Sequence, residues 1–334
     1  MIEKLHIENF TAFRKAEFDF VPGINVLVGA NATGKTHVMK LLFAMQKAQV
    51  PARESLPILG PLFAIFRPEK LEALIHQGSR SKTSSIKATW NGKPYAFVVE
   101  INDRQNVAYD EGNQWESVTT PVFIPVKDML AHSMGFLSLY DQRNIDFDET
   151  HHDILSLAFT PTLRETVRGD VEPLLTRIAE QLEGHVEVKG ERFYLDGKNG
   201  RFEIHLVAEG WRKLALLYQL IANGSLTNGS VLYWDEPETN LNPSLMDEVI
   251  GILLELARRG VQIFLSTHDY IILKELDLQK KAGDTVRMFA LERDKKDGSV
   301  SVHPANSYTE LSPNLIAAQF ERIYDMEIER ALGS

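Results

Sequence analysis

Cysteine is absent from the chain, which removes disulfides, thiolate zinc sites, iron–sulfur clusters and cysteine nucleophiles together. Any metal is left to oxygen or imidazole ligands. No apolar stretch reaches the roughly eighteen uncharged residues of a membrane span, and the start MIEKLHIENF lacks the basic-then-apolar order of a signal peptide. The expectation is a cytoplasmic protein without a membrane partner. Basic residues are in deficit, 36 against 46 acidic ones, and the net charge of -10 repels phosphate backbones overall. Contact with DNA therefore needs a local basic patch. Internal repeats and heptad runs long enough for a coiled coil are missing too. What is present is a near-average globular composition, 44% hydrophobic and 25% charged over 334 residues, enough to bury a full core.

The chain opens with alternating runs, IEKLHIENF and KAEFDF, and turns through Val21-Pro22-Gly23 into the apolar Ile24-Asn25-Val26-Leu27-Val28, a buried strand. Helical spacing of Val38, Leu41, Leu42 and Met45 follows, closed by Pro51 and Pro57. Residues 82 to 126 hold short alternating runs, SSIKATW, PYAFVVEI and TTPVFIPV, and predict an antiparallel lobe beside the first strand–loop–helix unit. Residues 127 to 182 read as helical, and HVEVKGERFYLDGKNGRFEIHLV returns to hairpin chemistry. Thereafter EGWRKLALLYQLIAN, SVLYWDE, PSLMDEVIGILLELARR, VQIFLST and YIILKEL alternate as in a doubly wound parallel sheet. A hairpin around Asp297-Gly298 and an amphipathic helix from Pro313 end the chain. The fold class is α/β, a mostly parallel sheet flanked by helices with an antiparallel β lobe and a helical insertion. The expected division is one unit over 1–334, with its core in 1–50 and 205–334, the β lobe in 80–126 and a helical and hairpin insertion in 127–204.

Gly29-Ala30-Asn31-Ala32-Thr33-Gly34-Lys35-Thr36 fits the Walker A pattern and lies between an apolar strand and a helix, where the mechanism requires it. Backbone N–H groups and the positive helix end converge on a phosphate, and a side chain at Gly34 would block close approach. Lys35 reaches the β- and γ-phosphates, and the Thr36 hydroxyl is placed to ligate a magnesium ion bridging them. Asn31 through His37 is the expected ATP-binding run.

Val231-Leu232-Tyr233-Trp234-Asp235-Glu236 is an apolar strand ending in two acids, at the carboxyl edge where ligands bind parallel sheets. Asp235 is expected to hold magnesium, and Glu236 to polarise the attacking water as general base. Acids capping a surface loop would not ordinarily follow four buried apolar residues. His268 repeats the placement after Gln262-Ile263-Phe264-Leu265-Ser266-Thr267, where an imidazole can meet the γ-phosphate or the water. Lys35, Glu236 and His268 are thus the candidate catalytic set, and Thr36 with Asp235 the metal ligands.

These residues, in this order with the opening Ile7-Glu8-Asn9-Phe10-Thr11-Ala12-Phe13, with Asp235-Glu236-Pro237-Glu238-Thr239-Asn240-Leu241-Asn242-Pro243 and with Ser266-Thr267-His268-Asp269, resemble the ABC-type P-loop ATPases of the SMC, RecF and overcoming-lysogenization-defect group, AAA-family ATP-binding proteins. The resemblance implies two heads sandwiching two nucleotides in a homodimer, each signature helix capping the γ-phosphate held by its partner. The matching signature is Val207-Ala208-Glu209-Gly210-Trp211-Arg212-Lys213. Ala208 stands where the family commonly has serine; Glu209 and Gly210 form the helix start, and Arg212 or Lys213 is expected to supply charge. Thr11 replaces a common basic residue, with Arg14 nearby; Ala32 replaces a commoner glycine; and the family's magnesium-linking glutamine is not evident at Pro125-Val126-Lys127-Asp128. A Toprim nuclease domain would need more chain than the 66 residues after His268. In relatives of this size the output often passes to an effector, a nuclease or toxin encoded nearby, in antiphage defence or DNA repair. A DNA- or nuclease-recruiting module with little hydrolysis is the alternative; a transporter subunit is the weaker rival.

Other features read as structural. His151-His152-Asp153 suggests a solvated helix start rather than a metal cluster, since adjacent histidines do not share a helix face. Arg80-Ser81-Lys82-Thr83 with Lys87 reads as a lysine-protected hairpin edge or a minor phosphate contact. Arg258-Arg259-Gly260 reads as a helix end. The stripe Leu315, Ile316, Gln319, Phe320, Ile323, Tyr324 and Met326 predicts a final helix packed on the core, with docking of a partner as the alternative.

Overall fold

The computed structural model describes residues 1–49, 58–79, 81–101, 106–112, 115, 119–143, 145–164 and 166–332. Pro51, Pro57 and Arg80 lie outside the described residues. In chain order the strands and helices begin with the hairpin β1 (Ile2–Phe10) and β2 (Phe13–Asp19), then β3 (Ile24–Val28), α1 (Lys35–Gln49) and α2 (Leu59–Phe66). Next come β4 (Thr83–Trp90), β5 (Lys93–Ile101), β6 (Asn106–Gly112) and β7 (Val122–Ile124). The middle of the chain holds α3 (Phe136–Gln142), α4 (Glu149–Ala158), α5 (Glu172–Gln181), β8 (Gly184–Lys189), β9 (Arg192–Gly197) and β10 (Gly200–Glu203). The last part alternates α6 (Glu209–Ala222), β11 (Val231–Asp235), α7 (Pro243–Arg258), β12 (Gln262–Thr267) and α8 (Tyr270–Gln279), and closes with β13 (Val286–Arg293), β14 (Val300–Ala305) and α9 (Leu315–Leu332).

Every residue of β3, β11 and β12 is buried, as expected of strands covered on both faces. They sit side by side in a six-stranded sheet of order β14-β13-β3-β12-β11-β7, parallel except for β14. Alternate residues divide between two cores. Ile24, Val26, Leu232, Trp234, Ile263 and Leu265 pack on one face with residues of α4 to α8. Leu27, Val231, Tyr233 and Phe264 pack on the other with α1 and the antiparallel sheet β2-β1-β4-β5-β6.

Two assignments change. The run TTPVFIPV, read with the antiparallel lobe, contributes β7 to the parallel sheet, paired Leu232 to Val122 and Trp234 to Ile124. Val122 joins one core and Phe123 the other, so both faces are covered and the alternation argument does not apply to it. Conversely β1 and β2, read with the core of 1–50, belong to the antiparallel sheet, where β1 pairs with β4.

The final helix also departs from expectation. No residue of α9 is buried. Its first turns lean on the domain through Ile316, and Phe320 lies 4.7 Å from the Tyr270 ring. Leu315 and Phe320 are nevertheless exposed, as are Ile323, Tyr324, Met326, Ile328 and Leu332 further along. Among the described residues no helix is long and apolar enough to cross a membrane.

The segment around His151 is a built helix start. Asp148 caps α4 by accepting from the Thr150 N–H, and it takes the Lys40 ammonium of α1 at 2.5 Å. Lys47 similarly meets Asp153 at 2.5 Å and Glu149 at 2.8 Å. Arg258 ends α7 on Asp284 at 2.6 and 2.9 Å, with Gly260 at φ 88°. Burial works against the Asp148 carboxylate, but bonds from His151, Lys40 and Thr150 outweigh it and hold it far below the ordinary 3.8. A depressed carboxylate stabilises above its unfolded pKa and loses that contribution as pH falls. Asp148→Ala is therefore expected to lower unfolding free energy at neutral pH by about 2 kcal/mol. Urea titrations should show the deficit shrinking below about pH 4; a deficit independent of pH would contradict the assignment.

Candidate functional site

Three strands deliver side chains to one sheet edge because they are adjacent and in register. Val28 pairs with Thr267, and Ser266 pairs with Asp235. The turn after β3, the acids after β11 and the histidine after β12 thus leave the sheet at one level.

The turn after β3 needs unusual backbone. Ala32 takes φ 63° and Gly34 φ 86°. A Cβ on Gly34 would stand 2.8 Å from the Phe13 ring, so close packing of the loop against the β1–β2 turn requires glycine there. Thr33 is buried and donates to the Ala30 carbonyl at 2.9 Å, tying the loop to itself. Lys35 donates to the carbonyls of Gly29 at 2.8 Å and Ala30 at 3.1 Å. Burial depresses its pKa, while Glu236, Asp235 and Glu238 oppose that shift. Asn31 is exposed at the loop tip. His37 is exposed as well, edge-on to Phe66 at 5.8 Å, and lines with Ala32 a 530 Å³ cavity that reaches Arg293 and His76.

Thr36 and Asp235 meet as expected of a shared ligand pair: the hydroxyl lies 3.0 and 2.9 Å from the two carboxylate oxygens. The Ser266 hydroxyl donates to the same carboxylate. Burial raises the Asp235 pKa, with the Ser266 and Thr36 hydroxyls opposing the shift. A buried carboxylate with the Thr36 and Ser266 hydroxyl oxygens beside it is a hard, oxygen-only donor set that fits magnesium.

Glu236 leaves β11 with φ 47°, a left-handed conformation that costs a non-glycine residue about 1–2 kcal/mol and is held by N–H bonds to the Ser266 carbonyl and hydroxyl, both 3.2 Å. Its carboxylate faces the His268 ring, Oε1 to Nδ1 3.3 Å. Sequence reasoning missed Glu238 as a site residue. It is buried, accepts from Thr267 Oγ1 at 2.7 Å and from the His268 N–H at 3.1 Å, and lies 3.5 Å from His268 Nδ1. Desolvation raises its pKa against those bonds. The available signal was a third acid two positions after Glu236, in a run quoted only for its resemblance. Ser266 was missed likewise.

The segment Ala208 to Lys213 starts α6. Ala208 occupies the N-cap without a side-chain bond, as its replacement of serine dictates. Glu209 accepts from Asn240 Nδ2 at 3.0 Å, and a Cβ on Gly210 would meet Leu241 at 3.2 Å, so the helix start packs tightly on the loop after β11. The expectation of outward charge here is corrected. Arg212 donates to Asp128 at 2.7 Å and to the Val207 carbonyl at 2.5 Å. Lys213 is only 5% exposed and donates to the carbonyls of Pro237, at 3.0 Å, and Thr239. Both cations are committed within their own chain. Asp128, in the segment after β7 where a glutamine was not evident, is thus the acid that anchors the signature helix. Arg14 pairs with Asp297 at 3.7 Å.

Comparison with known proteins agrees with this geometry. Residues 77–274 match the family profile described as "AAA domain, putative AbiEii toxin, Type IV TA system", and residues 1–117 match one described as "AAA ATPase domain". The ATP-binding protein EcfA of an energy-coupling factor transporter from Methanothermobacter thermautotrophicus is 31% identical over 118 residues. That match spans 35% of this chain and 36% of the relative's length. Among solved structures, an SMC head bound to the C-terminal winged-helix domain of ScpA superposes with TM-score 0.58 at 14% identity, covering 92% of this chain and 98% of that one. The SMC head with an extended coiled coil, bound to the C-terminal domain of ScpA derived from Pyrococcus furiosus, gives 0.54 at 12% identity, covering 98% and 99%. The fold is therefore that of SMC-like P-loop heads.

Gly34→Ala should weaken binding of a fluorescent ATP analogue at least about tenfold, because the loop must move off Phe13. Ala32→Gly should instead raise stability by about 1 kcal/mol in thermal melts and leave affinity unchanged. Equal behaviour of the two variants would refute the loop geometry.

Proposed function

The chain belongs to the AAA-domain family whose description names the AbiEii toxin, and from that premise we propose an ATP-binding and ATP-hydrolysing switch that closes as a head-to-tail homodimer and controls a partner effector. The observation that carries this reading is the convergence of Lys35, Thr36, Asp235, Glu236 and His268 at the ends of three adjacent parallel strands. Lys35 turns from the Gly29 and Ala30 carbonyls to the β- and γ-phosphates. Glu236 takes a proton from the attacking water while His268, 3.3 Å away, orients it. Thr36 and Asp235 would hold a magnesium ion, which would supply neutralisation of phosphate charge. Most of the rate enhancement is electrostatic, because the transition state spreads negative charge.

The dimer accounts for the signature segment. No hydrogen bond or ion pair joins Ala208–Lys213 to Asn31–His37 among the described residues, and the proposed dimer would give this helix start its phosphate on a second copy. With Arg212 and Lys213 turned inward, the backbone N–H groups at Glu209 and Gly210 carry that contact. An effector, nuclease or toxin in antiphage defence or DNA repair, is supported by the family's description, which names a toxin, and by the SMC heads, which bind domains of ScpA. The alternative, DNA recruitment with little hydrolysis, finds less support. The outer face of the β1–β2 hairpin alternates in sign, Lys4 with Asp19 and Lys15 with Glu17, rather than forming a basic track.

Glu236→Gln is expected to bind ATP, lower turnover at least about a hundredfold and accumulate dimers in light scattering. A fully active, monomeric variant would discard the assignment. Lys35→Ala should abolish ATP binding by calorimetry, and normal affinity would count against the loop. Phosphate release with and without DNA at several salt concentrations separates the two readings.

A further inference from the structure

The strand β8 is an outer strand of the sheet β10-β9-β8. It joins β9 through a two-residue turn, Gly190-Glu191, with Gly190 at φ 59°. In such a hairpin the flanking pair, Lys189 and Arg192, exchanges hydrogen bonds, and bonded pairs then recur at every second residue. Glu187 and His185 therefore face β9, and the N–H and C=O groups of Val186 and Val188 point off the sheet. The neighbouring hairpin agrees: Leu195, opposite Val186, pairs instead with Phe202 of β10. Among the described residues nothing bonds the outward groups of Val186 and Val188.

A cavity of 510 Å³ runs along this edge. Four consecutive residues, Val186 to Lys189, line it. Neighbours in a strand point to opposite faces, so a cavity touching all four lies against the backbone edge rather than against one face. Its other wall is the non-helical stretch Phe159 to Thr162 after α4, with the buried Gln219 also lining it. Phe159 is fixed there by stacking on Phe193 at 4.9 Å, and Gln219 Nε2 holds the wall's base through the Ala158 carbonyl at 2.9 Å.

We propose that this slot receives an extended peptide segment of a partner protein, which adds to β8 as a fourth strand. Only an extended backbone matches donors and acceptors repeating every second residue along an edge. A nucleic-acid strand does not present N–H and C=O groups at this spacing, and the lining carries Glu187 and Lys189 rather than a basic track. A second copy's folded sheet is disfavoured because the Phe159–Thr162 stretch walls the slot on the side where further strands would have to lie. The segment should be apolar at alternate positions, following Val186 and Val188, whose side chains join the core, and polar between them. This inference is independent of the nucleotide reading.

The test is a displayed library of random nonapeptides panned against the full chain. Selected peptides should alternate apolar and polar residues and lose affinity at least about tenfold for Val188→Pro. That change removes one outward N–H and spares the β8–β9 ladder; circular dichroism and ATP affinity serve as controls. Should Val188→Pro not fold, the peptide side decides: N-methylation of alternate amides abolishes binding in one register and spares it in the other. Failure to enrich any peptide overturns the proposal, as does binding indifferent to Val188→Pro or, where that variant does not fold, to N-methylation. A Val188→Pro variant that changes the number of subunits with peptide binding intact would assign the edge to a second copy and overturn it too.

Discussion

The site depends on the parallel register of β3, β12 and β11. A strand is a ruler with a fixed rise per residue, so pairing Val28 with Thr267 and Ser266 with Asp235 sets the turn, the histidine and the acids within reach of each other. The three segments lie far apart in sequence, so their approach rests on this long-range pairing. Full burial of the strands locks the register, because a slip of one residue would exchange the two cores face for face.

The loop after β11 binds the parts of this edge together. Glu238 is bonded to Thr267 and His268 on one side, while the carbonyls of Pro237 and Thr239 on the other side hold the Lys213 ammonium of α6. Asn240 reaches Glu209 at the same helix start. The segment that contains the general-base candidate is thus clamped between the histidine strand and the signature helix. The left-handed backbone at Glu236 and Asn240 persists because these contacts over-determine it.

Much of this was legible because the chemistry sits where pattern and geometry coincide. A glycine-rich turn between an apolar strand and a helix, and acids or histidine at apolar strand ends, announce a phosphate site from local sequence. What stayed hidden depends on side-chain direction and on long-range pairing. Lys213 looks like any cation on a polar helix start until the Pro237 carbonyl is seen beneath it. The β7 strand is three residues long, too short for a period, and its place beside β11 is fixed by pairing alone. The stripe on α9 is real, but periodicity does not say whether a surface lies opposite; here only its first turns find one.

In the proposed switch, the electrostatics of Asp235 would favour a cation bound with the nucleotide. The protein surrounds this carboxylate with hydroxyls, from Thr36 and Ser266, and commits the nearby Lys35 ammonium to the Gly29 and Ala30 carbonyls. Hydroxyls satisfy lone pairs without neutralising charge, and desolvation leaves the pKa raised. Glu236 adds a like charge beside it and Glu238 a further buried acid, so three acids face Lys35 and, at Asp235, the Lys40 ammonium that is already paired with Asp148. A divalent cation held by Thr36 and Asp235 would remove that imbalance, and phosphates bound in the proposed switch would draw Lys35 off the Gly29 and Ala30 carbonyls by offering stronger, charged acceptors. The proposed preference for a metal–triphosphate pair over either component alone would rest on this grouping of three acids with Lys35 at one sheet edge.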